Sequence, residues 1–221
     1  MVRVVEREAA LGDAASVLAT IDRFCYQRHW MMHVGDVKGE LLRCAARRAA
    51  HGAAALCVEI GAYCGYSAVL LASSMRPCDR VVSLESEAEC VEFSRRVLRA
   101  AGFAEDRARV VHVRAGESPA AALRRALASE CADSPATVRL LFVDHAKERY
   151  LPDLLDFEPL LEKGAIVVAD NILSFDGGAS LEPYLARVRD PTLYTESVLH
   201  TSSLEYSKGS EPDGVEISVF R

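Results

Sequence analysis

The sequence is short of the features that mark membrane, secreted or nucleic-acid-binding proteins. No apolar stretch reaches about 18 residues without a charge, which argues against a membrane-spanning helix. The first residues are charged and contain no signal-peptide core. The 221 residues carry a formal net charge of −6, whereas non-specific nucleic-acid binding requires a basic surface. We therefore expect a cytoplasmic protein with no membrane or nucleic-acid partner, and a monomer is the simplest expectation for its oligomeric state.

Cysteine and histidine are present, but not in patterns that bind metal. The seven cysteines are an odd number, and none shows the CxxC spacing of zinc and redox sites. Several lie inside apolar segments, where a free thiol behaves as a small hydrophobic side chain. We therefore expect reduced core thiols in a reducing compartment. His33 is among the histidines that we expect at the surface or at a strand edge.

What the sequence does contain is an alternation of short apolar runs with helical segments. Such runs, bounded by polar residues, are typical of buried parallel strands. Their alternation with helices predicts an α/β fold, with a mostly parallel sheet and helices on both faces. The length suits a single domain over residues 1–221, with residues 1–52 as an N-terminal helical cap and an antiparallel strand pair at the C-terminus. The predicted strands are 55–60, 80–85, 109–113, 138–144, 165–169, 192–199 and 215–220, and the predicted helices between them are 66–75, 87–101, 117–130, 149–162 and 180–189.

Polar clusters follow two neighbouring strands. Asp144 ends one strand and is followed by Lys147, while Asp170 and Asn171 come directly after the next strand. Because neighbouring parallel strands lie about 4.8 Å apart, we expect these side chains to meet at the edge where open α/β folds bind ligands. Two carboxylates and an amide oxygen suit Mg²⁺. Taken alone, such residues are more often turn residues, and a lone lysine is more often a solvated surface charge.

A glycine-containing turn follows the first strand. Gly61 and Gly65 allow a tight turn and the close approach of a ligand to the backbone. The chain then enters a helix, whose amino terminus attracts anions. The segment has neither the GxGxxG pattern of dinucleotide sites nor a Walker lysine. Glu85 ends the next strand, where an acid usually accepts ribose hydroxyls, so the combination suits a nucleoside with a small charged tail, such as S-adenosylmethionine.

Six segments spread over most of the chain combine into a specific pattern. They are Val34-Gly35-Asp36-Val37-Lys38-Gly39, Glu59-Ile60-Gly61-Ala62-Tyr63-Cys64-Gly65-Tyr66-Ser67-Ala68-Val69, Asp144-His145 with Lys147, Arg149-Tyr150-Leu151-Pro152-Asp153, Ala169-Asp170-Asn171 and Leu204-Glu205-Tyr206. In these segments and in their order, the chain resembles the catechol O-methyltransferases, which are Mg²⁺-dependent and use S-adenosylmethionine. The resemblance implies a Rossmann-like class I methyltransferase fold and methyl transfer to one hydroxyl of a small-molecule catechol.

The resemblance also implies catalytic, metal and substrate residues. Asp144, Asp170 and Asn171 would ligate Mg²⁺, which lowers the pKa of the catechol hydroxyl and fixes the diol. Lys147 would be the general base for the attacking hydroxyl, and Glu205 would hold the second hydroxyl. The substrate would contact Trp30, Met32, Lys147, Asn171 and Glu205, with Trp30 and Met32 as an apolar wall. A core position is an alternative for Trp30.

The cofactor-binding residues implied by the resemblance surround the glycine turn. Glu85 would bind the ribose hydroxyls, and Ser67 would hold the methionine carboxylate together with the Val34 backbone. Glu59 and Gly61 would lie near the amino group of the methionine part. The other cofactor-binding residues on this basis are Tyr63, Gly65, Ser86, Ser118, Asp144 and His145, of which Ser118 and His145 would lie by the adenine.

Three departures from the family pattern concern the mouth of the substrate site. Ala146 stands where the animal enzymes carry a tryptophan, which removes about 150–250 Å² of aromatic surface. His33 replaces an asparagine, and the segment 172–178 lacks the family's proline. We expect a wider and more polar mouth that accepts bulkier catechols.

Two other functions remain open at this point. The same mechanism can serve another acceptor, such as a phenylpropanoid, a natural product or a hydroxyuridine in tRNA, although the acidic net charge argues against RNA. The second alternative is a non-catalytic module that binds the cofactor. The intact set of Lys147, Glu205 and the predicted metal ligands argues against that alternative.

Overall fold

Seven strands of the computed structural model form one sheet. The structure describes residues 1–128, 137–174, 178–207 and 211–221. The strands are β1 (Leu56–Ile60), β2 (Arg80–Glu85), β3 (Ala108–His112), β4 (Val138–Val143), β5 (Leu161–Ala169), β6 (Tyr194–Ser203) and β7 (Pro212–Phe220). Their order in the sheet is β3-β2-β1-β4-β5-β7-β6. The pairs among β1 to β5 are parallel, and β7 pairs antiparallel with both β5 and β6. The predicted fold class is therefore confirmed.

Eight α-helices of the described residues surround the sheet. They are α1 (Val2–Glu8), α2 (Ala14–Gln27), α3 (Gly35–Ala49), α4 (Tyr66–Ser74), α5 (Ala88–Ala100), α6 (Pro119–Leu127), α7 (Tyr150–Phe157) and α8 (Glu182–Val188). None of these helices has the length and the apolar character needed to cross a membrane. Asp13 caps α2 by accepting hydrogen bonds from the backbone amides of Ala15 and Ser16, a common way to satisfy the free amides of a first turn.

Residues on alternate sides of the central strands build two core layers. In β4 every residue is buried. Phe142 packs on the side of α2 to α5, whereas Leu141 packs on the side of α6 to α8. Strands covered on both faces have no polar side, which explains the continuous apolar runs that predicted them.

Several predicted boundaries were wrong by a few residues. The predicted helix 149–162 ends at Phe157, because Pro159 lies in a 3₁₀ turn, Glu158–Leu160, and β5 already begins at Leu161. Proline lacks the amide proton that a continuing α-helix needs. The segment 200–214, predicted as a loop, contains the end of β6 and the start of β7 instead. The predicted helix 117–130 is helical from Pro119 to Leu127, and its last two residues lie outside the described residues.

The cysteines only partly follow the prediction of core thiols. Cys25, Cys57 and Cys64 are buried and free, as expected, but Cys44 and Cys78 are exposed. Cys131 lies outside the described residues.

Candidate active site

The ends of three parallel strands bring the predicted site residues to one edge of the sheet. Ile60 pairs with Val143, and Val143 pairs with Ala169, so these strands end at the same level. The backbone amide of Asp144 donates to the Ile60 carbonyl over 3.0 Å, and that of Asp170 donates to the Val143 carbonyl over 3.1 Å. Residues that directly follow the strands are therefore neighbours in space, although they are far apart in sequence.

A cavity of ≈ 960 Å³ opens at this edge. The predicted site residues that line it are Met32, Gly61, Tyr63, Ser67, Glu85, Ser86, Ser118, Asp144, His145, Lys147 and Asn171. The other predicted site residues do not line this cavity. Four of them are buried, namely Val34, Glu59, Asp170 and Glu205. Gly65 is the N-cap of α4, and Trp30 is 43% exposed, which contradicts the alternative of a core position.

The glycine turn lies against the end of β4. Gly61 has φ 101°, and a Cβ atom there would overlap the carbonyl oxygen of Asp144. Gly65 has φ 81°, and a Cβ atom there would lie 2.9 Å from the Cα of Ser94. Both positions therefore require glycine, because a side chain would push the turn away from the strand and from α5.

Two buried glutamates flank the turn. Glu85 accepts hydrogen bonds from the backbone amides of Tyr63 (2.8 Å) and Glu87 (2.9 Å), one on each carboxylate oxygen. Glu59 is fully buried and accepts a hydrogen bond from the Ser83 hydroxyl on one oxygen, whereas its Oε1 finds no partner among the described residues. Burial raises the pKa of Glu59 to about 8. The turn is thus anchored by Glu85, whose two oxygens each accept a backbone hydrogen bond, and it is backed by Glu59, which has one oxygen without a partner among the described residues.

Asp144, Asp170 and Asn171 meet around the end of β5. Asp170 Oδ1 accepts hydrogen bonds from the Asn171 backbone amide and from a lysine, each over 2.8 Å, while Oδ2 is buried with no partner in the described part of the chain. Asn171 is held at φ 54°, its Nδ2 donates to Asp213 over 2.9 Å, and its Oδ1 accepts from Lys147 over 3.2 Å. Burial and the neighbouring charge of Asp170 raise the pKa of Asp144 to about 7.

The amine of Lys147 contacts Asp170 and Asn171, the two residues that follow β5. Its Nζ donates to the Tyr150 hydroxyl over 2.6 Å, and to the Asp170 carbonyl and Asn171 Oδ1 over 3.2 Å each. Burial lowers the pKa of Lys147, although the charge of Asp144 opposes this shift. The side chain is therefore an amine held at a fixed point, with a reduced preference for its charged form.

Sequence reasoning missed two charged residues of this cluster, Lys38 and Asp213. Lys38 Nζ lies 2.5 Å from Asp213 Oδ2, 2.8 Å from Asp170 Oδ1 and 3.0 Å from Glu205 Oε2, with all four side chains almost fully buried. Burial acts to lower the pKa of Lys38, but the three carboxylates raise it overall, so the side chain is charged. The signal in the sequence was Lys38 within the segment Val34–Gly39, a lysine on the buried face of an otherwise amphipathic helix.

His33, which was predicted at the surface, is buried at the cavity wall. Its Nδ1 accepts a hydrogen bond from the Gly35 backbone amide over 3.2 Å, and its ring stacks on Tyr66. The prediction failed because the segment before α3 packs against Tyr66, the first residue of α4. Burial, with a contribution from the charge of Lys38, lowers the pKa of His33 to about 3, so the ring is neutral.

On the other side of the cavity, His145 is fixed by a carboxylate. Its Nε2 lies 2.8 Å from Asp153 Oδ2, and Arg149 donates to the other oxygen of Asp153 over 2.6 Å. His145 Nδ1 is buried and meets no hydrogen-bond partner in the described residues. Ser118 caps α6 through the Ala121 amide at 3.3 Å. His145 and Ser118 therefore place polar groups at the wall of the cavity.

A rim of apolar side chains adjoins Glu205. Trp30 Nε1 donates to the Glu205 carbonyl over 2.9 Å. Met32 is 49% exposed and lines the cavity, and the exposed Ala146 lines it as well. Burial raises the pKa of Glu205, although Lys38 opposes the shift. A Cβ atom on Gly35 would lie 2.8 Å from that of Glu205, so a glycine is needed where α3 begins.

The predicted metal ligands match the chemistry of a hard cation. No group of three acidic, histidine or cysteine side chains that could hold a metal is found in the described residues, and the predicted set has two carboxylates and an amide. However, the buried free Oδ2 of Asp170 and the outward Oδ1 of Asn171 are oxygen atoms that a cation would satisfy. All-oxygen ligands are those that Mg²⁺ prefers, so the residues fit such an ion.

Comparisons with known proteins place the chain among methyltransferases. The family described as "Methyltransferase domain" matches residues 58–172. The chain is 33% identical over its full length to Catechol O-methyltransferase of Mus musculus, 77% of which is covered. Over 90% of its length it is 36% identical to Probable O-methyltransferase Rv1703c of Mycobacterium tuberculosis, 81% of which is covered. The structure of an O-methyltransferase from Bacillus cereus in complex with SAH superposes with a TM-score of 0.71, at 18% identity over 94% of this chain and 90% of that one, a likeness of fold.

Proposed function

This chain belongs to the family of O-methyltransferases that includes the catechol O-methyltransferases, and we propose that it methylates one hydroxyl of a catechol. The methyl donor is S-adenosylmethionine, the metal is Mg²⁺, and Lys147 is the general base. The observation that carries the proposal is the position of the Lys147 amine, 3.2 Å from the amide oxygen of Asn171 and 3.2 Å from the backbone carbonyl oxygen of Asp170, two of the three predicted metal ligands. A general base next to a cation site suits a diol substrate, because the base can take the proton of one hydroxyl while the cation lowers the pKa of that hydroxyl.

The cavity supports a nucleoside with a charged tail as the methyl donor. Glu85 lines it with two oxygens fixed by backbone amides, each with lone pairs left for ribose hydroxyls. Ser67 also lines the cavity, and Glu59 has a buried Oε1 without a partner among the described residues, which suits the amino-acid end of S-adenosylmethionine. The fold neighbour with SAH bound points the same way.

Asp144, Asp170 and Asn171 would hold Mg²⁺ in this proposal. When bound, the ion would act as a Lewis acid and as a template for the diol. The orientation of the Asn171 amide is set by this chain alone, because Asp213 accepts from the amide nitrogen and thereby turns the oxygen towards Lys147. The protein thus presents oxygen ligands without needing the ion to arrange them.

Lys147 takes the proton of the attacking hydroxyl at Nζ. A general base works best when its pKa lies near the working pH, and burial lowers the pKa of Lys147 in that direction. Tyr150 and the Asp170 carbonyl hold the amine in place. Glu205 would orient the second hydroxyl, and Trp30 and Met32 would form the apolar wall.

The exposed Ala146 supports a wide mouth and a bulky acceptor. A tryptophan at this position would cover part of the rim, whereas alanine leaves it open. We expect comparable kcat/KM values for dopamine and for a large flavonoid catechol. A strict preference for the small catechol would contradict this substrate range, but it would not contradict the proposed methyl transfer. A cytoplasmic location, a monomeric state and a single domain remain predictions.

The experiment that tests the proposal is methyl transfer from labelled S-adenosylmethionine to 3,4-dihydroxybenzoate, with Mg²⁺ and with EDTA. We expect turnover with Mg²⁺ and its loss with EDTA. Cofactor binding without turnover on any catechol would contradict the acceptor, and another hydroxyl acceptor, including tRNA, would then be tested. Equal turnover in both conditions would contradict the metal.

A further inference from the structure

A buried lysine that the proposed reaction does not use lies behind the cation site. Lys38 is on α3, and its three carboxylate neighbours come from three other places in the chain. Asp170 follows β5, Glu205 follows β6, and Asp213 is in β7. Among the described residues, the Lys38 side chain has no exposed surface. A lysine buried to this degree is uncommon unless it is paired, and here it joins four segments of the chain at one point.

The contacts of Lys38 decide which oxygen of Asp170 is left free. Oδ1 accepts from both Lys38 Nζ and the Asn171 backbone amide, each over 2.8 Å. Oδ2 is buried and has no partner in the described part of the structure. In metal sites, the non-ligating atoms of a ligand group are commonly held by hydrogen bonds of this kind, which fix its orientation. Lys38 therefore holds Asp170 with one oxygen occupied and the other available.

Lys38 also acts on Asn171, through Asp213. Asp213 Oδ2 accepts from Lys38 Nζ over 2.5 Å and from Asn171 Nδ2 over 2.9 Å. Because Asp213 takes the amide nitrogen, the amide oxygen of Asn171 faces Lys147. Asp213 Oδ1 is occupied as well, by the amide and the hydroxyl of Ser174. A single ammonium group thus helps to orient two of the three predicted metal ligands.

We propose that Lys38 is a positioning residue for the cation site, which fixes Asp170 directly and Asn171 through Asp213. The inference rests on the proposed function, since it concerns the Mg²⁺ site. The inference predicts the direction in which the Mg²⁺ affinity changes when Lys38 is replaced. A lysine close to a bound cation repels it, so removing the charge would strengthen Mg²⁺ binding if only charge mattered. Removing a group that orients ligands weakens metal binding, typically 10–100-fold.

The test measures Mg²⁺ affinity by isothermal titration calorimetry of the full chain with SAH present. The variants are Lys38→Met, Glu205→Gln and the double variant K38M/E205Q. Methionine keeps the length of the side chain without its charge. The double variant removes a cation and a carboxylate together, so it leaves fewer buried charges unpaired and protects the experiment against loss of folding. Thermal unfolding of each variant monitors the fold independently of metal binding.

We expect Lys38→Met to weaken Mg²⁺ binding about 10–100-fold, and the double variant to bind more weakly than Glu205→Gln. Unchanged or tighter binding on loss of Lys38, in the wild-type or the Glu205→Gln background, would overturn the inference and leave the proposed function standing. A wild-type protein that binds no Mg²⁺ at all would instead overturn the metal in the proposed function, and the inference with it.

Discussion

Buried carboxylates at the two edges of the sheet differ in their hydrogen bonding and in the direction of their pKa shifts. At the amino edge, both oxygens of the fully buried Asp79 accept hydrogen bonds, from Arg76 and from the backbone amide of Ala55. Burial acts to raise the pKa of Asp79, but these hydrogen bonds lower it overall. At the carboxyl edge, burial raises the pKa of Asp170 although Lys38 opposes the shift, and Oδ2 of that residue finds no partner among the described residues.

The difference distinguishes buried acids that stabilise the fold from buried acids that the fold keeps in position at a cost in stability. A buried acid whose oxygens are all paired stabilises its surroundings, and Asp79 joins the starts of β1 and β2 in this way. A buried acid with an unpaired oxygen costs stability, and such costs cluster at functional sites. By this criterion the amino edge is structural, and the carboxyl edge is the place where a ligand completes the bonding.

The largest effect is expected for Lys147→Ala, which tests whether the carboxyl edge carries the chemistry. Loss of a general base lowers kcat by about 10²–10⁴-fold, while SAH affinity should stay close to that of the wild type. Steady-state kinetics and calorimetry with SAH measure the two quantities. The matched control is Lys163→Ala, an exposed lysine in β5, which should leave both unchanged. Equal turnover of Lys147→Ala and wild type would refute the role of base.

The next effect concerns stability and the amino edge. Asp79→Ala removes the acceptor of the Ala55 amide, whereas the Arg76 guanidinium keeps backbone carbonyls as acceptors. An unpaired buried donor costs about 1–3 kcal/mol, so we expect the free energy of unfolding in urea to fall by about that amount. The kinetic constants of the folded fraction should not change, because Asp79 is at the far end of the sheet from the cavity.

The companion variant at the carboxyl edge is Asp170→Asn. Lys38 retains Glu205 and Asp213 as partners, so no buried charge is left alone. We expect the free energy of unfolding without Mg²⁺ to equal or exceed that of the wild type, while turnover is lost. If Asp170→Asn destabilised the protein as much as Asp79→Ala does, the contrast between the two edges would be wrong.

The comparison also shows what the sequence could and could not predict. The meeting of Asp144 with Asp170 was predictable because parallel strands end at one edge, and the need for Gly61 followed from the turn. Lys38 and Asp213 were not, because their contacts depend on how α3 packs against the ends of β5 and β7. No local pattern encodes that packing. Asp213 was also predicted to lie in a loop, because the antiparallel pair is longer than its apolar residues indicate.

A fourth prediction uses pH to test the buried state of His33. Burial lowers its folded pKa to about 3, whereas an unfolded histidine titrates near 6.5. The unfolded chain therefore binds the proton first as pH falls, and the stability present above about pH 6.5 declines towards pH 3, by at most about 1.4 kcal/mol per pH unit. His33→Asn should lose less stability than the wild type between pH 7 and pH 5 in urea unfolding. Parallel losses would show that His33 does not contribute.

The smallest expected effect extends the comparison to Glu59, another buried carboxylate with an oxygen that has no partner among the described residues. With a pKa of about 8 in the free protein, Glu59 is largely protonated at pH 7. An ammonium group bound beside it favours the ionised form, so cofactor binding should release a fraction of one proton. Calorimetry with S-adenosylmethionine in phosphate and in Tris measures this release, because the two buffers differ in ionisation enthalpy.

The release belongs to Glu59 only if it disappears in Glu59→Gln, which keeps the shape and cannot ionise. We expect the binding enthalpy of the wild type to depend on the buffer and that of the variant to depend on it less. A buffer dependence of the same size in both would assign the proton to another group, with Asp144 as the next to test. A binding enthalpy of the wild type that does not depend on the buffer would mean that Glu59 does not face the ammonium group. Its unpaired oxygen would then be a consequence of how the core packs, and not part of the cofactor site.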